Sequence, residues 1–263
     1  MQHDKRQSAI QRAWHAAAQR LPLAWLRAVK RPELPVLVAL FVLAGSTWLF
    51  ITLVDEVREG DTQRFDQWVV DSLRAPGSAH RPRGPRWLVQ AGHDITALGS
   101  SAVLTVVTIA AAGYLLLRRK QHAMVLMLLV VITGVVLSNG LKFYFARERP
   151  PGASDVIDVL TYSFPSGHSM LSAIVYLALG MMLARMEERR VIRYYFIGLA
   201  VLLTLLVGAS RVYLGVHYPT DVLGGWTAGL AWAIVWWLIA RRLQNRGVVE
   251  QTGDSALRTS PQQ

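Results

Sequence analysis

No cysteine occurs among the 263 residues. Disulfides, thiolate nucleophiles and cysteine-ligated metals are therefore excluded, while the redox compartment stays open. Acids are scarce too, 17 against 28 Lys plus Arg, and they form no tight carboxylate cluster of the kind a two-metal site needs. Over long stretches charge of either sign is missing. Uncharged runs cover 35–54, 95–117, 123–141, 169–184, 194–210 and 222–240, and a bilayer core takes about 20 apolar residues per helix. Over half the residues are hydrophobic, 52%, and the mean hydropathy is +0.30. The spacing predicts six transmembrane helices, the shorter runs extended by a flanking turn. The first run is too long, and too poorly followed by small residues, for a cleaved signal peptide. It is expected to remain as an anchor.

Orientation follows from the basic residues. Lys5, Arg6, Arg12, Arg20, Arg27, Lys30 and Arg31 precede the first run, and "RRKQH" from Arg118, "RMEERR" from Arg185 and "RRLQNR" from Arg241 fall on the same side. The positive-inside rule makes that side cytoplasmic, with both termini inside. A net charge of +11 is thereby explained by topology and by attraction to anionic lipid, without nucleic acid. The organisation predicted is all-α: a basic amphipathic cytoplasmic segment over 1–34, an integral membrane bundle of six helices over 35–243, and a disordered cytoplasmic tail over 244–263. The first outer loop, 55–94, carries "RFDQWVVDSLR" in amphipathic spacing, an extra segment lying beside the outer surface.

Polar residues at membrane edges tend to mark function. Here they gather on one face. Lys142 closes the third run, "FPSGHSM" (Phe164 to Met170) opens the fourth, Ser210 and Arg211 close the fifth, and "HYPTD" (His217 to Asp221) opens the sixth. That face is the outer one, where the positive-inside rule disfavours bases, yet Lys142, Arg147, Arg149 and Arg211 are all there. With Glu148, Asp155, Asp158 and Asp221 as the chief acids, the natural ligand is an anion. Guanidinium forks match phosphate or carboxylate oxygens.

In "LKFYFARERPP" Lys142 and Arg149 are seven apart, so two more helical turns would align them on one anion before Pro150 and Pro151. Pro165 suits a first helical turn, Gly167 admits close backbone approach, and the helix N-terminus attracts negative charge. His168, in that same turn, suits proton donation to a departing oxygen. Asp221 lies four residues after His217 and can fix its tautomer, leaving an oriented neutral imidazole as a candidate nucleophile. Each piece has a plain alternative: Asp221 as a dipole-complementing carboxylate, His168 as a surface histidine, the arginines as headgroup anchors. The joint pattern, from four helix ends on one face, is what favours a site.

Those residues resemble the type 2 phosphatidic acid phosphatase superfamily. Its three-part signature is matched by Lys142 to Pro150 (Lys-x6-Arg-Pro), Pro165 to His168 (Pro-Ser-Gly-His) and Ser210 to Asp221 (Ser-Arg-x5-His-x3-Asp). The resemblance implies a membrane-bound lipid phosphate phosphatase that uses neither metal nor cofactor. Lys142, Arg149, Ser166, Gly167 and Arg211 would hold the phosphoryl oxygens. His217 would attack phosphorus to give a phosphohistidine, Asp221 would orient it, and His168 would protonate the leaving oxygen and then activate water. Among bacterial relatives the substrates include undecaprenyl pyrophosphate, phosphatidylglycerophosphate and phosphatidic acid. The expected location is a bacterial inner membrane with the site on the outer face; no oligomeric state is implied.

Two other functions fit parts of the pattern. A phosphotransferase would share the first half-reaction, and a lipid or anion transporter would use the cations as a gate. Transporters place charge near the midplane on broken helices, whereas here it lies at helix ends. Gly225 and Gly229 read as a helix-packing pair, and Trp226, Trp236 and Trp237 as packing or interfacial aromatics.

Overall fold

The computed structural model describes residues 34–78, 81–153 and 162–247. The basic segment expected over 1–34 lies outside them save for Leu34; of the tail expected over 244–263 only 244–247 are described, and the last helix runs into it as far as Asn245. The chain divides into two compact units, Met1–Leu40 and Phe41–Gln263. Of the first, only the opening turns of one helix are described. All regular elements among the described residues are helical: α1 (Leu34–Glu59), α2 (Gln63–Ser72), α3 (Arg86–Ala97), α4 (Ser101–Leu117), α5 (Gln121–Phe145), α6 (Gly167–Met186), α7 (Arg190–Tyr213) and α8 (Pro219–Asn245).

Helices α1, α5, α6, α7 and α8 are each long and apolar enough to span a membrane. The pair α3 and α4, bent by 46° at the break between them, is long and apolar enough only when taken together, which gives five spans, or six with the pair counted as one. The uncharged run 95–117 straddles that break, so it is two helices meeting at an angle rather than one straight helix. Gly99 sits at the bend because a Cβ there would lie 2.3 Å from Val207 Cγ1 on α7. Ser100 then starts α4 by accepting the N–H of Val103 at 3.3 Å, an N-cap that satisfies an orphan donor. The Tyr176 hydroxyl of α6 donates to the Leu98 carbonyl at 2.7 Å and anchors the bend.

Helix α6 is the hub. In its most apolar window 50% of residues are buried, against 11% for α1. Met170 and Ile174 pack with Val130 of α5 and Ala228 of α8, while Val175 and Tyr176 pack with Leu104 of α4 and Ala200 of α7. Small residues permit this closeness. A Cβ at Gly225 would stand 2.7 Å from the Ser166 carbonyl, and one at Gly229 2.6 Å from that of Met170, so the α8 glycine pair packs against α6. Trp226 lies against Gly208 of α7 and donates to the Thr204 carbonyl at 3.1 Å.

The outer faces carry Phe41 and Trp48 on α1, Val106 and Ile109 on α4, Ile132 and Val136 on α5, and Leu202 and Leu205 on α7, all exposed. Water would penalise so extensive an apolar surface, and acyl chains do not. The chain is an integral membrane protein.

Candidate active site

His217 lies between α7 and α8 and is 1% exposed. Its Nε2 is 2.9 Å from Arg149 Nη1. A guanidinium only donates, so Nε2 must be the bare nitrogen and the proton sits on Nδ1. That nitrogen lies 3.3 Å from Asp221 Oδ2 and 3.3 Å from Ser163 Oγ. The Ser163 hydroxyl in turn donates to Asp221 Oδ2. Burial, and then Arg149, Arg211, Lys142 and His168, hold the His217 imidazole well below the usual histidine range. The ring is therefore neutral, with a fixed tautomer and an Nε2 lone pair that carries no proton.

Asp221 performs both duties that its position suggested. It is the third residue of α8, and its Oδ2 accepts the Tyr218 N–H at 2.9 Å, capping the helix that Pro219 begins. Its own carbonyl accepts the Ser166 N–H at 2.9 Å. The last of these contacts ties the start of α8 to the start of α6.

Around His217 stand three cations from three elements. Lys142 ends α5 and donates to the Tyr162 carbonyl at 2.8 Å. Arg149 donates to the Val216 carbonyl at 3.0 Å and reaches the same Tyr162 carbonyl at 3.4 Å; burial lowers it to about 10, so it stays charged at neutral pH. Arg211, 2% exposed, donates from Nη1 to Thr96 Oγ1 of α3 at 3.2 Å. Its Nε is buried with no acceptor, an arrangement rare enough in proteins to call for an explanation. Among the described residues no carboxylate lies within ion-pair reach of Lys142 or Arg211.

Two local expectations are corrected. Helix α5 does not continue to Arg149: Ala146 adopts φ 45° and its N–H returns to the Lys142 carbonyl at 3.0 Å, closing the helix one residue after Phe145. Lys142 and Arg149 converge because the irregular segment 146–149 folds back over Tyr162, not because they share a helical face. Pro165 also stands outside α6. Ser166 is the N-cap, fully buried, with its hydroxyl accepting from Ser169 N–H at 3.5 Å and from Ser169 Oγ at 3.0 Å. Gly167 and His168 open the helix, and by position their N–H groups have no intrahelical acceptor. A Cβ on Gly167 would come within 3.2 Å of Lys142 Cε, so glycine lets that lysine lie across the helix start. The His168 ring packs by Gly99 at the α3–α4 bend.

Sequence reasoning missed Asp66 and Ser163, and its grouping of Arg147 with the anion-facing cations is corrected. Arg147 belongs to the opposite side of the site, donating to Asp221 Oδ1 at 2.7 Å, to Thr220 Oγ1 at 2.8 Å and to Asp66 Oδ2 at 2.7 Å. Asp66, from α2 in the outer loop, is fully buried and also accepts from Thr220 N–H at 3.1 Å. The Arg147 guanidinium lies 4.6 Å from the Tyr218 ring centroid, a cation–π stack. Burial pulls the Arg147 pKa down, but Asp221 and Asp66 more than reverse that, so the group is held as a cation. A trace of Asp66 was legible: it lies four residues before buried Val70, an acid on the face where the amphipathic pattern calls for an apolar residue. Nothing in the sequence marked Ser163 beyond its place next to the Pro-Ser-Gly-His stretch.

The PAP2 superfamily pattern matches residues 123–245. Phosphatidylglycerophosphatase B of Bacillus subtilis (strain 168) is 38% identical over 148 residues, which cover 55% of this chain and 71% of the relative. An undecaprenyl-diphosphatase of Sulfolobus acidocaldarius is 30% identical over 103 residues, but those span only 46% of its length. The crystal structure of a transmembrane PAP2 type phosphatidylglycerolphosphate phosphatase from Bacillus subtilis superposes with a TM-score of 0.67 at 30% identity, covering 77% of this chain and 98% of that one. With that breadth of match, and with all three motifs brought to one end of the bundle, the chain belongs to the PAP2 superfamily.

Proposed function

We propose that this protein hydrolyses a lipid phosphate or pyrophosphate through a phosphohistidine at His217. The observation that carries the reading is the Nε2 of His217, bare, buried and held against Arg149 at 2.9 Å. When a phosphoryl group enters, its oxygens take the N–H groups of Arg149, Lys142 and Arg211, together with the α6 amides of Gly167 and His168. Drawing Arg149 off Nε2 uncovers the lone pair just as its target arrives. The nitrogen then forms a bond to phosphorus while the bond from phosphorus to the leaving oxygen breaks, and His168 supplies that oxygen's proton. In the second half, His168 takes a proton from water, the water oxygen bonds to phosphorus, and the P–N bond breaks. Phosphoryl transfer spreads charge over equatorial oxygens, so fixed cations provide most of the catalysis. Asp221 and Ser163 orient His217, and Ser166 shapes the cradle by capping α6.

A site at helix ends suits a substrate whose tail stays in the bilayer. The named relatives act on phosphatidylglycerophosphate and on undecaprenyl diphosphate, and we assign this chain the same broad class. The opposite end of the bundle carries Arg118, Arg119, Lys120, Arg185, Arg189, Arg190, Arg241 and Arg242, which supports a cytoplasmic assignment for that end and an outer-face site.

The test is phosphate release by the purified chain from a polyprenyl diphosphate, phosphatidylglycerophosphate, phosphatidic acid and a soluble phosphomonoester. Activity is expected to persist in EDTA, to be blocked by vanadate, and to be greatest on a lipid substrate. Turnover lost in EDTA and restored by Mg²⁺ would overturn the histidine mechanism. Labelled phosphate delivered to an alcohol acceptor in preference to water would make the protein a phosphotransferase.

A further inference from the structure

At the end of the bundle remote from the histidines, α4, α5, α6 and α8 enclose a cavity of about 100 Å³. Its lining along α5 runs from Ala123 to Val130, about 18–29 Å from Lys142 at about 1.5 Å per residue. The deeper wall is apolar, with Met127, Val130, Met181 and Ala233; the outer wall holds Lys120 and Arg185. No carboxylate lines it.

Two wall residues bear buried donors with no acceptor, Arg185 Nη2 and Trp236 Nε1. The guanidinium is nonetheless fixed in place. Arg185 Nη1 donates to Gln244 Oε1 at 2.8 Å, and the group lies 5.1 Å from the centroid of the Trp237 ring. Buried polar groups in native proteins nearly always find partners, so an oriented cation and an indole N–H left wanting acceptors beside an apolar hollow define what is missing. The occupant must accept hydrogen bonds, carry negative charge at the outer wall and present hydrocarbon further in.

We propose that this cavity binds one acidic phospholipid from the surrounding bilayer. Its phosphate sits on Arg185 beside Lys120, an ester carbonyl accepts from Trp236 Nε1, and the first methylenes of an acyl chain pack among Met127, Val130 and Met181. This is a second lipid site, separate from the histidine cradle and independent of what that cradle does.

The experiment is native mass spectrometry of the full chain released from detergent containing phosphatidylglycerol or phosphatidylcholine with identical acyl chains, in excess inorganic phosphate. One phosphatidylglycerol per chain is expected, retained at least about ten-fold better than phosphatidylcholine, a difference of one factor of ten in affinity. Arg185→Gln should reduce retention by a similar factor. Ala178→Phe, which fills the cavity from α6 without changing charge, should do the same, and circular dichroism identifies which variants are folded. Equal retention of the two lipids, displacement by inorganic phosphate, undiminished retention in whichever variant folds, or a lipid-free dimer whose second copy covers the cavity would each overturn the proposal.

Discussion

The two sides of the histidine site treat positive charge in opposite ways. On one side Arg147 is pinned between two fully buried carboxylates, Asp66 and Asp221, and its charge is spent on them. On the other, Lys142 and Arg211 have neutral hydrogen-bond partners, the Tyr162 carbonyl and the Thr96 hydroxyl. The first side is a buttress and the second a cradle. A cation whose charge is cancelled inside the protein holds structure. One left uncancelled in a buried place raises the energy of the empty protein and lowers it again when an anion enters. His217 stands where the two meet, its Nδ1 toward the buttress and its Nε2 toward the cradle.

The largest effect should come from that junction. His217→Ala is expected to reduce phosphate release by about ten-thousand-fold or more, as loss of a covalent nucleophile does, and to leave no acid-labile, base-stable phosphoenzyme in a rapid-quench experiment with labelled substrate. Trapping such a species on the variant would remove His217 from its role. Asp221→Asn, which removes the anion but keeps the shape, should cost about a thousand-fold or more in kcat.

The comparison itself is tested by crossing Arg211 with Arg147. Arg211→Gln should lower kcat/KM by about a hundred- to a thousand-fold without lowering the thermal midpoint of the ligand-free protein, and should abolish stabilisation by vanadate. Arg147→Gln should instead destabilise the fold by about 3–5 kcal/mol, because two buried carboxylates lose their partner. If the two variants behave alike in both assays, the division into buttress and cradle is wrong.

A smaller effect depends on pH. Burial depresses the His217 imidazole below the ordinary histidine value of 6.5, so the unfolded chain takes up a proton that the folded chain refuses. Stability from this ring is therefore complete above pH 6.5 and falls as the pH drops below it, by about 1.4 kcal/mol per unit until the folded pKa is reached. Chemical-denaturant midpoints in detergent between about pH 7.5 and 5.5 should show a steeper acid-side loss for the wild type than for His217→Gln. Ser163→Ala should have the smallest consequence, about ten-fold or less in kcat, since one shared hydroxyl contributes about 0.5–1.5 kcal/mol.

Much of the fold was legible because lipid imposes a one-dimensional rule: uncharged runs of near-constant length become spans. The kink at Gly99 was hidden from that rule, since 95–117 is uniformly uncharged and charge does not mark the break that Ser100 caps and at which Gly99 meets Val207. The site could be read where chemistry sits next to a helix end, as with His168, His217 and Asp221. Arg147 and Arg149 show where reading stopped. Both are arginines in one tetrapeptide, "RERP", and which faces an acid depends on Ala146 turning the chain and on Asp66, a residue 81 positions upstream of Arg147. Periodicity cannot carry information across such a distance. Trp236 and Trp237 fit the reading as packing aromatics only in part, because they also wall the remote cavity.

The bond from Asp66 to Arg147 and Thr220 also sets an order of assembly. Asp66 lies 81 positions ahead of Arg147 in the chain, so synthesis produces this acid well before either partner exists. The acid is enclosed by Arg147 and by Thr220 at the start of α8, and the neighbouring Asp221 holds the His217 ring. On the proposed mechanism, the chemistry is therefore complete only once the start of α8 is in place.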